Sequence, residues 1–205
     1  MVAKAPEIPA RVKKVVPVPH CLILIMGVAG SGKTTLAGSI LRRICAVYLD
    51  NNHIADAFFP ETRNGRRYET LRPRFYRALY TIAEANLRVG NSVLLDVPHV
   101  KEIQIPKWRQ FVKRLVARTN SRLLVIRCFC SEEVLRSRLL SRGEKRDRQK
   151  LSRWKEFSIA EPIHVAVPFR HLDINTENDL ARNTETAIRY IRVRPREIGA
   201  LRVVE

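Results

Sequence analysis

The chain has 205 residues, of which 45% are hydrophobic and 7% aromatic: enough for one domain with a sizeable core, too few for two full domains, and with apolar runs too short to span a bilayer. Lys and Arg number 38 against 20 Asp and Glu, a formal net charge of +18, so anionic partners are expected. Either arginines serve a bound nucleotide on an otherwise solvated surface, or the partner is a polyanion such as nucleic acid.

Residues 1–19 carry Lys4, Arg11, Lys13 and Lys14 among four prolines. They lack the apolar core and cleavage site of a signal peptide and read as a basic, extended tail. The run Cys21-Leu22-Ile23-Leu24-Ile25-Met26 reads as a first strand. Directly after it, Gly27-Val28-Ala29-Gly30-Ser31-Gly32-Lys33-Thr34 fits the Walker A pattern G-x-x-x-x-G-K-[ST] at every constrained position. Glycines let the backbone turn its N–H groups inward around phosphate oxygens, and the N-terminus of a following helix adds partial positive charge. Lys33 is placed to bridge the β- and γ-phosphates and the Thr34 hydroxyl to ligate Mg²⁺, with Thr35 completing the nucleotide-binding loop. The helix-forming stretch from Thr35 to Arg43 supplies the strand–loop–helix setting that the motif needs.

Ala46 to Asp50 reads as a second strand ending in a carboxylate, and a helix is expected from Asn52 to Phe59. Asp50 suits either contact with an acceptor hydroxyl or the N-cap of that helix. Residues 60–68 look polar and turn-rich. From about Pro73, Phe75, Tyr76, Leu79, Ile82, Ala83 and Leu87 recur at helical spacing, with Gly90 placed to end the helix. Arg63, Arg66, Arg67, Arg72 and Arg74 form a basic cluster that reads first as solvated surface and second as an anion reader.

Ser92 to Asp96 is a third strand, again ending in aspartate, the position of a Walker-B-type carboxylate for the magnesium shell. Val97 follows it where many motor ATPases carry a glutamate that activates water, which favours transfer to an acceptor over hydrolysis. Pro106 opens a helix through Val116, Leu123 to Cys130 is a fourth strand, and Ser131 caps the helix that carries Arg138 and Arg142. These two arginines, four apart, share a helix face and are expected to point at one anion. A charge-dense break at 143–148 holds Arg146 and Arg148. Another helical segment passes through Leu151, Trp154 and Phe157, then come a fifth strand, Phe169 to Ile174, and a last helix to Arg192. Residues 193–205 read as a C-terminal tail. Cys21, Cys45, Cys128 and Cys130 lack metal-ligand spacing and read as buried, reduced thiols, which favours the cytoplasm.

Alternating strands and helices predict an α/β fold: a five-stranded parallel sheet with helices on both faces, with ligands at the carboxyl ends of the strands. The loop GVAGSGKT, Asp50 and the pair Arg138/Arg142 together resemble the P-loop kinases that include gluconate kinase, shikimate kinase, chloramphenicol phosphotransferase, zeta toxins and polynucleotide kinases. The resemblance covers about residues 20–192. It implies that Asp50 contacts the acceptor hydroxyl as general base, and that Arg138 and Arg142 lie on a lid, about 138–155, that closes over the triphosphate. No Asn-Lys-x-Asp guanine-reading motif occurs, so ATP with Mg²⁺ is the expected nucleotide. The resulting expectation is a kinase acting on a hydroxyl of a small molecule. The alternatives are a 5′-hydroxyl polynucleotide kinase, which the charge would suit, and a nucleotide-controlled interaction protein without catalysis.

Overall fold

The computed structural model describes residues 18–59, 63, 65–193 and 203–204. The predicted tails, 1–19 and 193–205, fall almost wholly outside them, as does part of the expected turn at 60–68. Five parallel strands stand in the order β2 (Val47–Asp50), β3 (Val93–Asp96), β1 (Cys21–Met26), β4 (Arg122–Phe129), β5 (His171–Asn175). The pair Val203–Val204, β6, adds an antiparallel edge beside β5, a strand outside the five expected, since two residues carry no periodicity.

All six residues of β1 are buried, as a central strand covered on both faces requires. Its alternation divides two cores. Leu22, Leu24 and Met26 pack with Tyr76, Leu79, Tyr80, Ala83 and Leu87 of α3 (Arg66–Arg88) and with Val112 and Leu115 of α4 (Pro106–Arg118). Cys21, Ile23 and Ile25 face the other way, onto Leu36 and Ile40 of α1 (Lys33–Leu41) and Ile188 and Ile191 of α8 (Leu180–Arg192). Each fully buried aliphatic side chain contributes about 1.5–3 kcal/mol, so this two-sided burial fixes the strand that launches the phosphate loop.

Three expectations need correction, two about helices and one about a cysteine. Helix α3 starts at Arg66, with Pro73 in its interior, not at Pro73. The first turn is held without the proline: Glu69 N–H donates to the Gly65 carbonyl (3.2 Å), Thr70 Oγ1 to the Arg66 carbonyl (2.8 Å), and the Tyr68 ring packs edge-on against Phe59. Pro73, eight residues into this 23-residue helix, forgoes one backbone hydrogen bond, a cost of about 3 kcal/mol that the rest of α3 offsets. The segment through Leu151 and Phe157 is two short helices, α6 (Arg148–Ser152) and α7 (Trp154–Ala160), broken where Arg153 leaves helical geometry. Finally, Cys45 is exposed, while Cys21, Cys128 and Cys130 are buried, and all four are free thiols. Between β2 and α3 lies α2 (Asn51–Phe58), and α5 (Glu132–Arg142) follows β4.

Candidate functional site

The carboxyl ends of the strands open into a cavity of about 560 Å³, lined from the phosphate loop, the ends of β2 and β3, α3, and the α5–α6 region. The loop's shape follows from its glycines. Gly27 has φ +139°, and a Cβ there would lie 2.3 Å from the Cys128 carbonyl oxygen; Gly32, capping α1 at φ +82°, would bring a Cβ within 3.0 Å of Thr176. No other residue meets both demands. Gly27 N–H donates to the Pro98 carbonyl (3.1 Å) and Ser31 N–H to the Val28 carbonyl (3.2 Å), which ties the loop to the segment after β3.

Of the residues expected to bind nucleotide, Ala29, Gly30, Gly32, Lys33, Thr34 and Thr35 line the cavity. Gly27, Val28 and Ser31 instead lie behind it, with Val28 and Ser31 buried. The Ser31 hydroxyl has no partner. Lys33 is buried, and its Nζ donates to the Val28 carbonyl at 2.9 Å.

The two strand-end aspartates come together as register partners across β2 and β3. Asp50 does serve as the α2 N-cap: Oδ1 accepts from Asn52 N–H at 2.8 Å, and Oδ2 accepts from the Asn52 amide at 3.2 Å. It also lines the cavity, so capping and access to a ligand coexist. Asp96 Oδ2 accepts from Thr34 Oγ1 at 2.7 Å and from the Tyr48 hydroxyl at 3.2 Å. Burial, aided by the negative charge of Asp50, pushes the Asp96 carboxyl up to about 6, against the opposing pull of Lys33 and the two hydroxyl donors. The Tyr48 phenol is raised by the same burial and by both carboxylates. A hydroxyl and a carboxylate held 2.7 Å apart beside a lysine-bearing phosphate loop are hard oxygen donors of the type Mg²⁺ takes when phosphates fill its other positions.

Arg138 and Arg142 line the same cavity but do not converge on one point. Arg138 donates to Thr176 Oγ1 and to the Thr176 carbonyl, both at 2.8 Å, fastening α5 to the loop after β5. Arg142 is bonded to the fully buried Asp147, which also accepts from Lys150 Nζ at 2.7 Å. Both cations hold the Asp147 carboxyl below its ordinary value despite burial. The helical spacing was right, but partners distant in sequence set where each guanidinium goes.

Several cavity residues carried no decisive sequence signal. Arg146 makes a two-point contact with Asp56 of α2 (2.8 and 2.7 Å), and Arg63 bonds the same carboxylate. Arg72 donates to the Tyr76 hydroxyl at 3.1 Å and lies 3.2 Å from Glu102. The basic cluster is therefore split: Arg63 and Arg72 line the cavity, while Arg66, Arg67 and Arg74 are exposed. His99 is buried, hydrogen-bonded to Tyr80 at 3.1 Å and packed on Trp108. Trp154 packs on Phe157 and bonds Glu132. Thr176 and Asn178, after β5, line the far end of the cavity.

A family model described as an AAA domain matches residues 22–158. No curated protein matches. Solved structures do: a candidate kinase from Chloroflexus aurantiacus is 18% identical, covering 86% of this chain and 100% of that one with a TM-score of 0.64. A sugar kinase from Janibacter sp. is 16% identical, covering 87% and 100% with a TM-score of 0.62. An APS kinase of Mycobacterium tuberculosis, in complex with AMPPNP and APS, is 17% identical, covering 85% and 98% with a TM-score of 0.59. At these identities the likeness concerns the fold, and it agrees with the P-loop kinase resemblance of the sequence. Among the described residues no helix is long and apolar enough to cross a membrane.

Proposed function

The chain belongs to the AAA domain family, and on that premise we propose that it is a Mg·ATP-dependent kinase that transfers the γ-phosphate to a hydroxyl of a small-molecule acceptor. The observation that carries this reading is the pairing of Asp50 with Asp96 at one edge of the phosphate-loop cavity. One carboxylate is tied to Thr34, the residue that follows the loop lysine. The other stands one strand further out, where an acceptor would lie. Beside Asp96 comes Val97, 1% exposed, so no adjacent carboxylate orients water for hydrolysis.

In this mechanism Lys33 leaves the Val28 carbonyl and donates to the β- and γ-phosphate oxygens, and the loop amides hold the phosphates in line. Thr34 and Asp96 are the residues that would hold magnesium. When bound, that ion supplies neutralisation of phosphate charge. Asp50 accepts the proton of the acceptor hydroxyl. The hydroxyl oxygen forms its bond to the γ-phosphorus while the bond from that phosphorus to the β,γ-bridging oxygen breaks, and ADP leaves. Arg142 faces the transferring group from the lid, whereas Arg138 positions the lid by holding Thr176. A cytoplasmic location with reduced thiols goes with this reading, and the phosphate-binding cavity accounts for part of the positive charge without nucleic acid.

Transfer of labelled γ-phosphate from Mg·ATP into two acceptor pools tests it, one of sugars, hydroxy acids and nucleosides and one of 5′-hydroxyl oligonucleotides. Label entering the first pool and lost in Lys33→Ala supports the proposal. Label entering only the second replaces it with polynucleotide kinase activity.

A further inference from the structure

Strand order lays the cavity out along one line. The loop after β5, with Thr176 and Asn178, lies at one end, the phosphate loop after β1 in the middle, and Asp96 and Asp50 beyond it, with β2 at the sheet edge. A nucleotide whose phosphates fill the loop leaves the β2 end to the second substrate. That end is walled by Arg63, Tyr68, Arg72 and Arg146.

Two of these cations share one carboxylate. Asp56 accepts both oxygens' worth of contact from Arg146 and a further bond from Arg63, yet Arg63 and Arg146 line the cavity and Asp56 does not. Within this trio one positive charge is left over, with Glu144 and Asp147 acting on Arg146 through space. The Arg63 Nε is buried with no partner, on a side chain only 11% exposed. A neutral acceptor would leave that excess uncompensated in a partly desolvated place, whereas an oxyanion would take up both guanidiniums with charge-assisted bonds.

We propose that the acceptor is an anion: a small hydroxyl compound whose phosphate, sulfate or carboxylate group seats against Arg63 and Arg146, with Asp56 as the resident carboxylate that presets them. This rests on the kinase reading above. The same arginine links the anion to the chemistry, because Arg63 Nη1 donates to Asn52 Oδ1 at 2.7 Å and Asn52 N–H donates to Asp50. The span from the anionic group to the reacting hydroxyl is thereby set by one asparagine, which suits a compact acceptor.

Sulfate titrated calorimetrically into protein saturated with Mg·AMPPNP tests the site while the phosphate loop is filled. Wild type is expected to bind one sulfate saturably, and the double variant Arg63→Gln, Arg146→Gln to bind it about tenfold more weakly or worse. Asp56→Asn, which removes the resident carboxylate, is expected to bind it more tightly. A merely structural ion pair predicts no gain. Absence of saturable sulfate binding to the nucleotide-loaded protein overturns the inference and leaves the kinase reading standing. So does equal affinity in the double variant, or weaker binding in an Asp56→Asn protein that melts like wild type. Failure of AMPPNP to bind at all overturns the kinase reading and this inference with it.

Discussion

Asp50 and Asp96 end adjacent parallel strands as register partners, and the Tyr48 hydroxyl reaches a carboxylate oxygen of each, at 3.4 and 3.2 Å. The negative charge of Asp50 adds to burial in opposing ionisation of Asp96. The fold keeps them together through donors: Tyr48 shared between them, Thr34 on Asp96, and Asn52 on Asp50. An arrangement that disfavours charge in the nucleotide-free protein is suited to a cation and a transferable proton.

The Asp96 carboxyl sits at about 6 in the folded protein, above its unfolded value near 3.9. A group raised in this way stabilises the fold below its unfolded value and loses that contribution as pH rises through the folded one. The contribution of Asp96 to the stability of the nucleotide-free protein should therefore be lost as pH rises from about 4 to about 6, against an opposite contribution from His99 over the same range. Asp96→Asn keeps an acceptor for Thr34 and Tyr48 without the charge. At pH 7 it should raise the stability of the nucleotide-free protein by about 1–3 kcal/mol while abolishing the magnesium dependence of AMPPNP binding. Chemical denaturation with and without nucleotide measures both effects.

Asp50 has two separable jobs. Asp50→Asn retains an N-cap for α2, since asparagine caps as well as aspartate, and should melt close to wild type. Asp50→Ala should lose about 1 kcal/mol. Phosphoryl transfer should fall about 100-fold or more in both. AMPPNP affinity should stay near wild type, which a binding isotherm run beside the melts will show.

The glycines predict a graded series. Gly27→Ala meets the Cys128 carbonyl at 2.3 Å with φ +139° and should cost about 3 kcal/mol or more, from backbone strain and overpacking. Gly38→Ala, inside α1 with open space around the added methyl, should gain about 0.5–1 kcal/mol. Urea midpoints of the two variants give the comparison directly.

His99 is held at about 3 by burial, with Arg72 and Lys33 adding to it. Its native form is neutral, so below its unfolded value near 6.5 the unfolded chain binds a proton that the native chain refuses. Stability should fall as pH drops from about 6.5 toward 3, by about 2 kcal/mol at pH 5 from this residue. Its φ of +53° makes asparagine the best tolerated replacement. His99→Asn should be less stable at pH 7 yet lose that much less on going to pH 5.

The sequence made the phosphate loop, both strand-end aspartates and the five parallel strands readable, because a fixed-spacing motif and short apolar runs are local signals. It could not show that Asp50 and Asp96 are neighbours, which depends on β2 lying outside β3 in the sheet. Arg146 on Asp56 joins residues 90 apart, and Arg138 on Thr176 joins residues 38 apart; helix-face spacing says nothing of either. Pro73 misled for a physical reason: proline favours first turns, but tertiary contacts of Tyr68 and the bonds around Gly65 and Arg66 started α3 earlier.

The central claim is transfer to a hydroxyl under the control of Asp50, and the fate of the γ-phosphate measures it. Labelled Mg·ATP is incubated with wild type and Asp50→Asn, each with a pool of small hydroxyl compounds bearing phosphate, sulfate or carboxylate groups, and the label is divided between organic product and inorganic phosphate. The account predicts label in an organic phosphate ester, acceptor-dependent in wild type and nearly lost in Asp50→Asn. Label released only as inorganic phosphate, at a rate that Asp50→Asn leaves unchanged, would contradict it.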